Sequence, residues 1–234
     1  MQYIGMDLGS TNTKAAVYDE KFHCIAMATA PLIYKRSSGR VEFDLNQYRE
    51  TLAGLLRKLV KTPGVRPEKI ERLTLTGQAE TLVVLDKDGE PLMDAISWMD
   101  ERSREECKEL EEKFSKETYI ARTGQLAVLP TWPATKIRWL QKNRPEIFER
   151  VGTYMLLKDY VVYWLTGQRA ADCSIATFTF YFDIYQKCYW EEMLDAIGIT
   201  KEQLPSLAEP CTLAGRLTKE AAALTGLPET VAIN

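Results

Sequence analysis

The amino-acid sequence predicts a single α/β domain in which helices pack on a mixed sheet. Three short strand-like runs separated by polar turns open the chain, strand–helix alternation follows, and the later part is mainly helical. This order of elements is typical of α/β domains with helices packed on a sheet. No Gly/Ser-rich linker, internal repeat or low-complexity segment divides the 234 residues. We therefore predict that residues 1–234 form one unit.

The strand signals are concentrated in the first half of the chain. Short runs separated by polar turns of a few residues predict an antiparallel meander at the N-terminus. Two further runs follow the first helix, and the turn Asp86-Lys87-Asp88-Gly89 closes the second of them. The predicted strands cover residues 3–7, 13–19, 24–30, 70–76 and 81–85.

The helix signals begin with Tyr48, Leu52, Leu55, Leu56 and Leu59, which recur at helical spacing. Asp100 opens a charge-rich helix that we expect to be exposed on most faces. The predicted helices cover about residues 45–61, 100–118, 136–143, 145–150, 156–165 and 190–197.

Composition excludes several classes of protein. Hydrophobic residues make up 45% of the chain, and 30 basic against 33 acidic residues give a net charge of −3. Nucleic-acid or anionic-membrane binding would require a basic face, which this balance does not indicate. No run approaches the ~20 apolar residues of a membrane-spanning helix. The first ten residues lack the features of a secretory signal, so we expect a cytoplasmic protein.

Cysteine and histidine usage argues against metal and disulfide chemistry. The five cysteines are dispersed and no pair has CxxC spacing, which disfavours a zinc site or a disulfide framework. His23 is the single histidine and follows a predicted turn, so we interpret it as a surface residue. A Ser-His-Asp hydrolase would have to be built on this residue, and we set that class aside.

The most informative stretch is the polar turn at Asp7-Leu8-Gly9-Ser10-Thr11-Asn12-Thr13-Lys14. Such a turn offers backbone N–H groups and hydroxyls to phosphate oxygens, and its carboxylate can hold a hydrated magnesium ion. It is not a Walker A loop or a GxGxxG fingerprint, because the turn leads into a strand and not into a helix. An ordinary hairpin with polar turn residues explains the octapeptide equally well.

Several segments together resemble the FGGY carbohydrate kinases, the family of glycerol, xylulose, ribulose and gluconate kinases. Residues 136–143 are similar to the second half of a family signature, although Thr131 departs from its start. The similar segments span essentially the whole chain in the family's order and are specific for the family but not for its substrate. They are DLGSTNTK at 7–14, GRVEFD at 39–44, GQAET at 77–81, WMDER at 98–102, KDY at 158–160 and LTG at 165–167.

The resemblance implies a ribonuclease H-like fold of the actin/hexokinase-like ATPase type and the use of ATP and Mg²⁺. It implies a phosphate- and magnesium-binding side in which Asp7 holds the metal through water, since Mg²⁺ keeps much of its hydration shell. The residues implied on this side are Asp7, Ser10, Thr11, Asn12 and Lys14.

The acceptor side implied by the resemblance consists of Gln78, Ala79, Glu80, Trp98 and Asp100. Glycerol kinases have an Arg-Glu pair here, and Ala79 replaces the arginine, which puts glycerol in doubt. The xylulose kinase pattern is also broken, at Ala79 and Glu80, so a related pentulose-like sugar or polyol is expected. Without the family resemblance, the residues have other interpretations: Glu80 is a solvated strand end, Asp100 is a helix N-cap and Trp98 is a core residue.

The resemblance implies the N-terminal lobe of a kinase that transfers the γ-phosphate of ATP to a sugar hydroxyl. Its general-base aspartate is expected beyond Asn234, so we expect this chain alone not to turn over appreciably. A homodimer is common in the family. The alternatives are a non-catalytic sugar-binding or interaction module and another actin-like protein, such as an acetate kinase or a chaperone ATPase. The WMDER, KDY and LTG segments argue against the last alternative.

Overall fold

The computed structural model describes every residue from Met1 to Asn234. The strands are β1 Gln2–Leu8, β2 Asn12–Asp19, β3 Cys24–Pro31, β4 Lys35–Ser37, β5 Arg40–Phe43, β6 Ile70–Gly77, β7 Leu82–Leu85, β8 Ala95–Ile96, β9 Thr153–Leu156, β10 Ala170–Asp172, β11 Phe182–Asp183, β12 Cys188–Tyr189, β13 Ser206–Ala208, β14 Gly215–Arg216 and β15 Ala232–Ile233. The helices are α1 Leu45–Val60, α2 Arg104–Lys113, α3 Lys116–Thr123, α4 Pro133–Asn143, α5 Pro145–Phe148, α6 Leu157–Thr166, α7 Cys173–Ala176, α8 Glu191–Ile197 and α9 Lys219–Thr225. None of them has the length and apolar character needed to cross a lipid bilayer.

The main sheet is mixed, as the sequence predicts, and its strand order is β14-β15-β6-β1-β2-β3. Strands β1, β2 and β3 form the predicted antiparallel meander, while β6 pairs with β1 in parallel. Burial alternates along β1, because Ile4, Met6 and Leu8 face the core and the residues between them are partly exposed. This alternation leaves Asp7 on the open face of the sheet.

A second, antiparallel sheet has the order β4-β5-β8-β7-β9 and was not predicted as a separate unit. Its strand β7 is buried on both faces. Val83 and Leu85 belong to a hydrophobic cluster of 32 buried residues, which also contains residues of the main sheet, α1 and α6. Leu82 and Val84 belong to a cluster of 24 buried residues that includes side chains of α2, α4 and α8. The second sheet therefore separates two hydrophobic cores.

Most predicted helices agree with the structure to within a few residues, but the helix predicted over 100–118 is wrong. It is two helices, α2 and α3, and Asp100 lies before the first of them instead of capping it. Phe114 is extended, at φ −121° and ψ 127°, and interrupts the helix. The Ser115 side chain then accepts a hydrogen bond from the Thr118 N–H and so caps a new helix.

Asp159, in the first turn of α6, carries a buried carboxyl group. The residue is 2% exposed, and its Oδ1 atom has no hydrogen-bond partner. The Tyr154 hydroxyl lines the same small cavity and also lacks a partner. Burial raises the pKa of Asp159 to about 7, against the opposing effects of the Lys158 charge and the Leu156 backbone. The native protein therefore retains a proton that the unfolded chain releases at lower pH.

We predict that Asp159→Asn gains stability relative to the unsubstituted protein as the pH rises. Because the folded-state pKa is raised, the contribution of Asp159 is fully present below its unfolded pKa and is lost as pH approaches 7. Between about pH 5 and about pH 8 the difference in unfolding free energy should shift in favour of the variant by about 2 kcal/mol. Urea denaturation at both pH values measures it.

The matched control is Asp195→Asn, at an exposed position of α8. Its effect should be the same at both pH values. An equal pH response of the two variants would show that Asp159 titrates like an exposed carboxylate.

Candidate functional site

The turn between β1 and β2 is closed tightly around Gly9. A Cβ atom at Gly9 would lie 2.6 Å from the Asn12 carbonyl oxygen, so a side chain there would force the turn open. The end of β6 approaches equally closely, because a Cβ atom at Gly77 would lie 2.5 Å from the Leu8 Cβ. The Gln78 N–H donates to the Leu8 carbonyl at 3.1 Å. The turn is thus held against the segment that follows β6.

Two charged side chains stand beside this turn without protein partners. Asp7 and Lys14 are register partners across β1 and β2, yet neither side chain forms an ion pair or a hydrogen bond. Together with Thr74 and Thr76 they line a cleft of about 320 Å³. An unpaired carboxylate, an unpaired lysine and a tight turn of backbone N–H groups fit a phosphate–magnesium group.

The remaining residues predicted on this side lie in the same turn. Thr11 is exposed, and Ser10 and Asn12 are partly exposed. The Ser10 Oγ accepts a hydrogen bond of 2.9 Å from the Trp98 Nε1. This bond joins the turn to the segment in which the sequence predicts the acceptor side.

Thr81 extends the connection between these segments. Its Oγ1 accepts from the Trp98 N–H at 3.2 Å and donates to the Gln78 Oε1 at 2.8 Å. Trp98 is 39% exposed, whereas Gln78 is partly buried. The structure therefore brings three segments into one patch: the turn at 9–12, the segment 78–81 and the segment 97–100.

Glu80 occupies a strained position in this patch. Its φ angle is +62°, in the left-handed region that non-glycine residues rarely adopt. The Thr81 N–H donates to the Ala79 carbonyl at 2.8 Å, which closes a three-residue turn around Glu80. Burial raises the pKa of Glu80, while the Lys136 charge and the Thr131 hydroxyl act in the opposite direction. Strain of this kind persists only where the surroundings enforce it.

Asp100 lies beneath the patch, since it is only 1% exposed. Its carboxylate accepts from the Val41 N–H at 2.6 Å and from the Arg102 Nε and Nη2 at 2.7 Å each. The Arg102 guanidinium also donates to Glu42 at 2.7 Å and lies 4.9 Å from the centre of the Trp139 ring. These bonds tie the segment 97–102 to β5, so the geometry favours a positioning role for Asp100. Its predicted contact with the acceptor stays a prediction.

Lys136 is a residue of the site that the sequence reasoning missed. It lies in α4 and is 0% exposed. Its Nζ donates to the carbonyl oxygens of Glu80 at 3.1 Å, Ser97 at 2.9 Å and Thr131 at 2.7 Å. The available signal was a lone charged residue within the run Pro133–Ile137, all of which is buried.

Comparisons with known proteins identify the family of the chain. Residues 2–234 match the model of the FGGY family of carbohydrate kinases, N-terminal domain. The chain is 32% identical over 221 residues to a glycerol kinase of Natranaerobius thermophilus, covering 91% of this chain and 44% of that protein. It is 31% identical over 232 residues to a xylulose kinase of Klebsiella pneumoniae, covering 99% of this chain and 47% of that protein.

A solved structure gives the same result. The crystal structure of xylulose kinase from Rhodospirillum rubrum superposes with a TM-score of 0.94 at 28% identity, covering 100% of this chain and 48% of that one. The chain thus spans less than half the length of these relatives. Its mixed sheet and flanking helices are consistent with an actin/hexokinase-like ATPase domain. The chain belongs to the FGGY family of carbohydrate kinases, whose N-terminal domain its residues 2–234 match.

Proposed function

We propose that this chain is the N-terminal lobe of an ATP- and Mg²⁺-dependent kinase that phosphorylates a hydroxyl of a pentulose-like sugar or a related polyol. The hydrogen bond between Trp98 Nε1 and Ser10 Oγ carries this proposal. It joins the turn suited to phosphate directly to the segment suited to the acceptor. Phosphoryl transfer requires that the donor phosphate and the acceptor hydroxyl meet in line within one groove.

The phosphate side consists of the β1–β2 turn and its two free charges. Bound MgATP would supply the phosphoryl group and a cation that neutralises its charge. Asp7 would hold the hydrated metal through water, and Lys14 would offset phosphate charge. The backbone and side chains of Ser10, Thr11 and Asn12 would donate hydrogen bonds to phosphate oxygens.

The acceptor side combines an aromatic surface with polar groups. The exposed part of the Trp98 indole would pack against the C–H face of a sugar. Gln78 and Glu80 would form hydrogen bonds with adjacent hydroxyls. Because Ala79 provides no guanidinium group, the site lacks the forked donor expected for glycerol. A larger acceptor with more hydroxyls fits this arrangement better.

The general base is not assigned to any residue of this chain. We propose, from the family resemblance, that it lies in a second lobe outside residues 1–234. We therefore propose that residues 1–234 alone bind ligands but do not transfer phosphate at an appreciable rate. Measurements of phosphate transfer therefore require the full-length protein.

Asp7→Asn should reduce kcat by about 100-fold or more while acceptor affinity changes less than about twofold. The amide keeps the shape of the carboxylate but loses the charge that attracts a hydrated cation. Steady-state kinetics with saturating acceptor, and calorimetric titration of the acceptor, measure the two effects. The control is Asp88→Asn at an exposed side chain that bonds nothing. Unchanged kcat in Asp7→Asn would refute the metal-holding role.

Thermal-shift screening with pentuloses, polyols and hexonates should identify at least one stabilising compound, which a coupled assay should show to be phosphorylated. Glycerol should be a poor acceptor, since Ala79 lacks the guanidinium group. If an unrelated metabolite alone stabilises the protein and is phosphorylated, the proposed substrate class is wrong.

Glu80→Gln should weaken binding of the compound so identified by about tenfold or more, because hydrogen bonds to a charged acceptor are the stronger ones. Nucleotide affinity should stay within about twofold. The matched control is Glu112→Gln, at an exposed position of α2. Equal acceptor affinity in both variants would remove Glu80 from the acceptor side.

A further inference from the structure

The Lys136 ammonium group lies where three distant segments meet. Its three N–H donors are matched by three carbonyl oxygens, those of Glu80, Ser97 and Thr131, at 2.7–3.1 Å. The first belongs to the strained turn, the second directly precedes Trp98, and the third lies in the loop before α4. No other side chain of the protein bonds all three segments.

Lys136 forms no ion pair, and the carboxylates that balance its charge, Asp100 and Glu80, lie farther away. Burial lowers the pKa of Lys136 to about 7, and the carboxylates of Asp100 and Glu80 oppose this change. The Arg102 guanidinium acts in the same direction as burial. A neutral amine would have two N–H donors for three carbonyls and would leave one buried carbonyl without a partner, so the bonding pattern favours the charged form.

We propose that Lys136 is the positioning residue of the acceptor site, and that its bonds to three main-chain carbonyls hold Glu80 and Trp98 in the orientation that receives the sugar. The proposal deepens the proposed function and rests on it. Lys136 is itself fully buried, so it acts through these two residues and touches no ligand.

The first step of this argument concerns the Glu80 backbone. A left-handed conformation is unfavourable for a non-glycine residue, and it must be enforced by its surroundings. The bond from Lys136 Nζ to the Glu80 carbonyl, together with the Thr81–Ala79 hydrogen bond, supplies that restraint. Without the ammonium group the turn around Glu80 can relax, and the carboxylate moves with it.

The second step is electrostatic. Burial raises the pKa of Glu80, and the Lys136 charge is the principal effect that opposes this. Loss of that charge should raise the Glu80 pKa further, so the carboxylate would be protonated at a higher pH. A purely structural role of Lys136 would not produce such a displacement.

The test is Lys136→Met, which keeps the length and apolar stem of the side chain but removes its donors. Amide hydrogen exchange in peptides covering 78–81 and 97–99 should accelerate by about tenfold or more, while exchange in β1–β3 should stay unchanged. The acceptor dissociation constant should rise by about tenfold, with nucleotide affinity within about twofold. Acceptor affinity falls on acidification as Glu80 is protonated. The pH at which this fall occurs should be higher in the variant, because Glu80 loses its nearby positive charge.

Lys158→Met is the matched control. Lys158 is another mostly buried lysine, in α6, and its ammonium group pairs with Asp172 away from the acceptor patch. This variant should lose stability without changing exchange at 78–81 or the pH profile of acceptor binding. A second variant, Lys136→Gln, retains two N–H donors and should give a smaller change of the same kind.

The outcomes separate the two proposals. If the unsubstituted protein binds no sugar or polyol, the proposed function fails, and hydrogen exchange still decides whether Lys136 restrains the two segments. Unchanged or uniformly accelerated exchange in Lys136→Met, or an unchanged pH profile, would overturn the positioning role. Failure of both Lys136 variants to fold would show that this lysine serves overall stability and would overturn it as well.

Discussion

The structure depends on one short segment, residues 78–81, which connects its two sheets. The main sheet ends at Gly77 in β6, and the chain enters the second sheet at Leu82 in β7, so residues 78–81 have to span the two. Both ends are anchored, because β6 is paired along β1 and β7 is buried in both hydrophobic cores. Packing of the two cores therefore fixes where this short segment begins and ends. Glu80, whose backbone has a left-handed conformation, lies in this connecting segment.

Buried charges provide a second layer of restraint beneath the candidate site. Asp100 and Arg102 bond one another and β5, and Lys136 bonds three carbonyls. Removing such groups from water is costly, and they are tolerated because hydrogen bonds satisfy most of their donors and acceptors. The network fixes the relative orientation of the segments that it bonds. Fixed orientation is what a site needs if it is to align a hydroxyl with a phosphoryl group.

Family membership and substrate choice depend on different residues. The tight turn at Gly9 and the Asp100–Arg102 pair belong to segments that resemble the family's motifs. Ala79 and Thr131 depart from those motifs, and both lie beside Glu80. These departures therefore lie around one carboxylate, Glu80, while the Asp7–Lys14 turn keeps the family's motif.

The sequence by itself determined the mixed α/β fold, the antiparallel meander, helix α1 and the polar turn after Asp7, because local periodicity and turn residues encode them. It also indicated the family, through segments that resemble the family's motifs. Only the tertiary structure decided that residues 100–118 form two helices, that Asp100 is buried, that β7 separates two cores and that Lys136 joins three loops. The physical reason is that burial and long-range hydrogen bonding depend on which distant segments meet, and spacing along the chain does not record this.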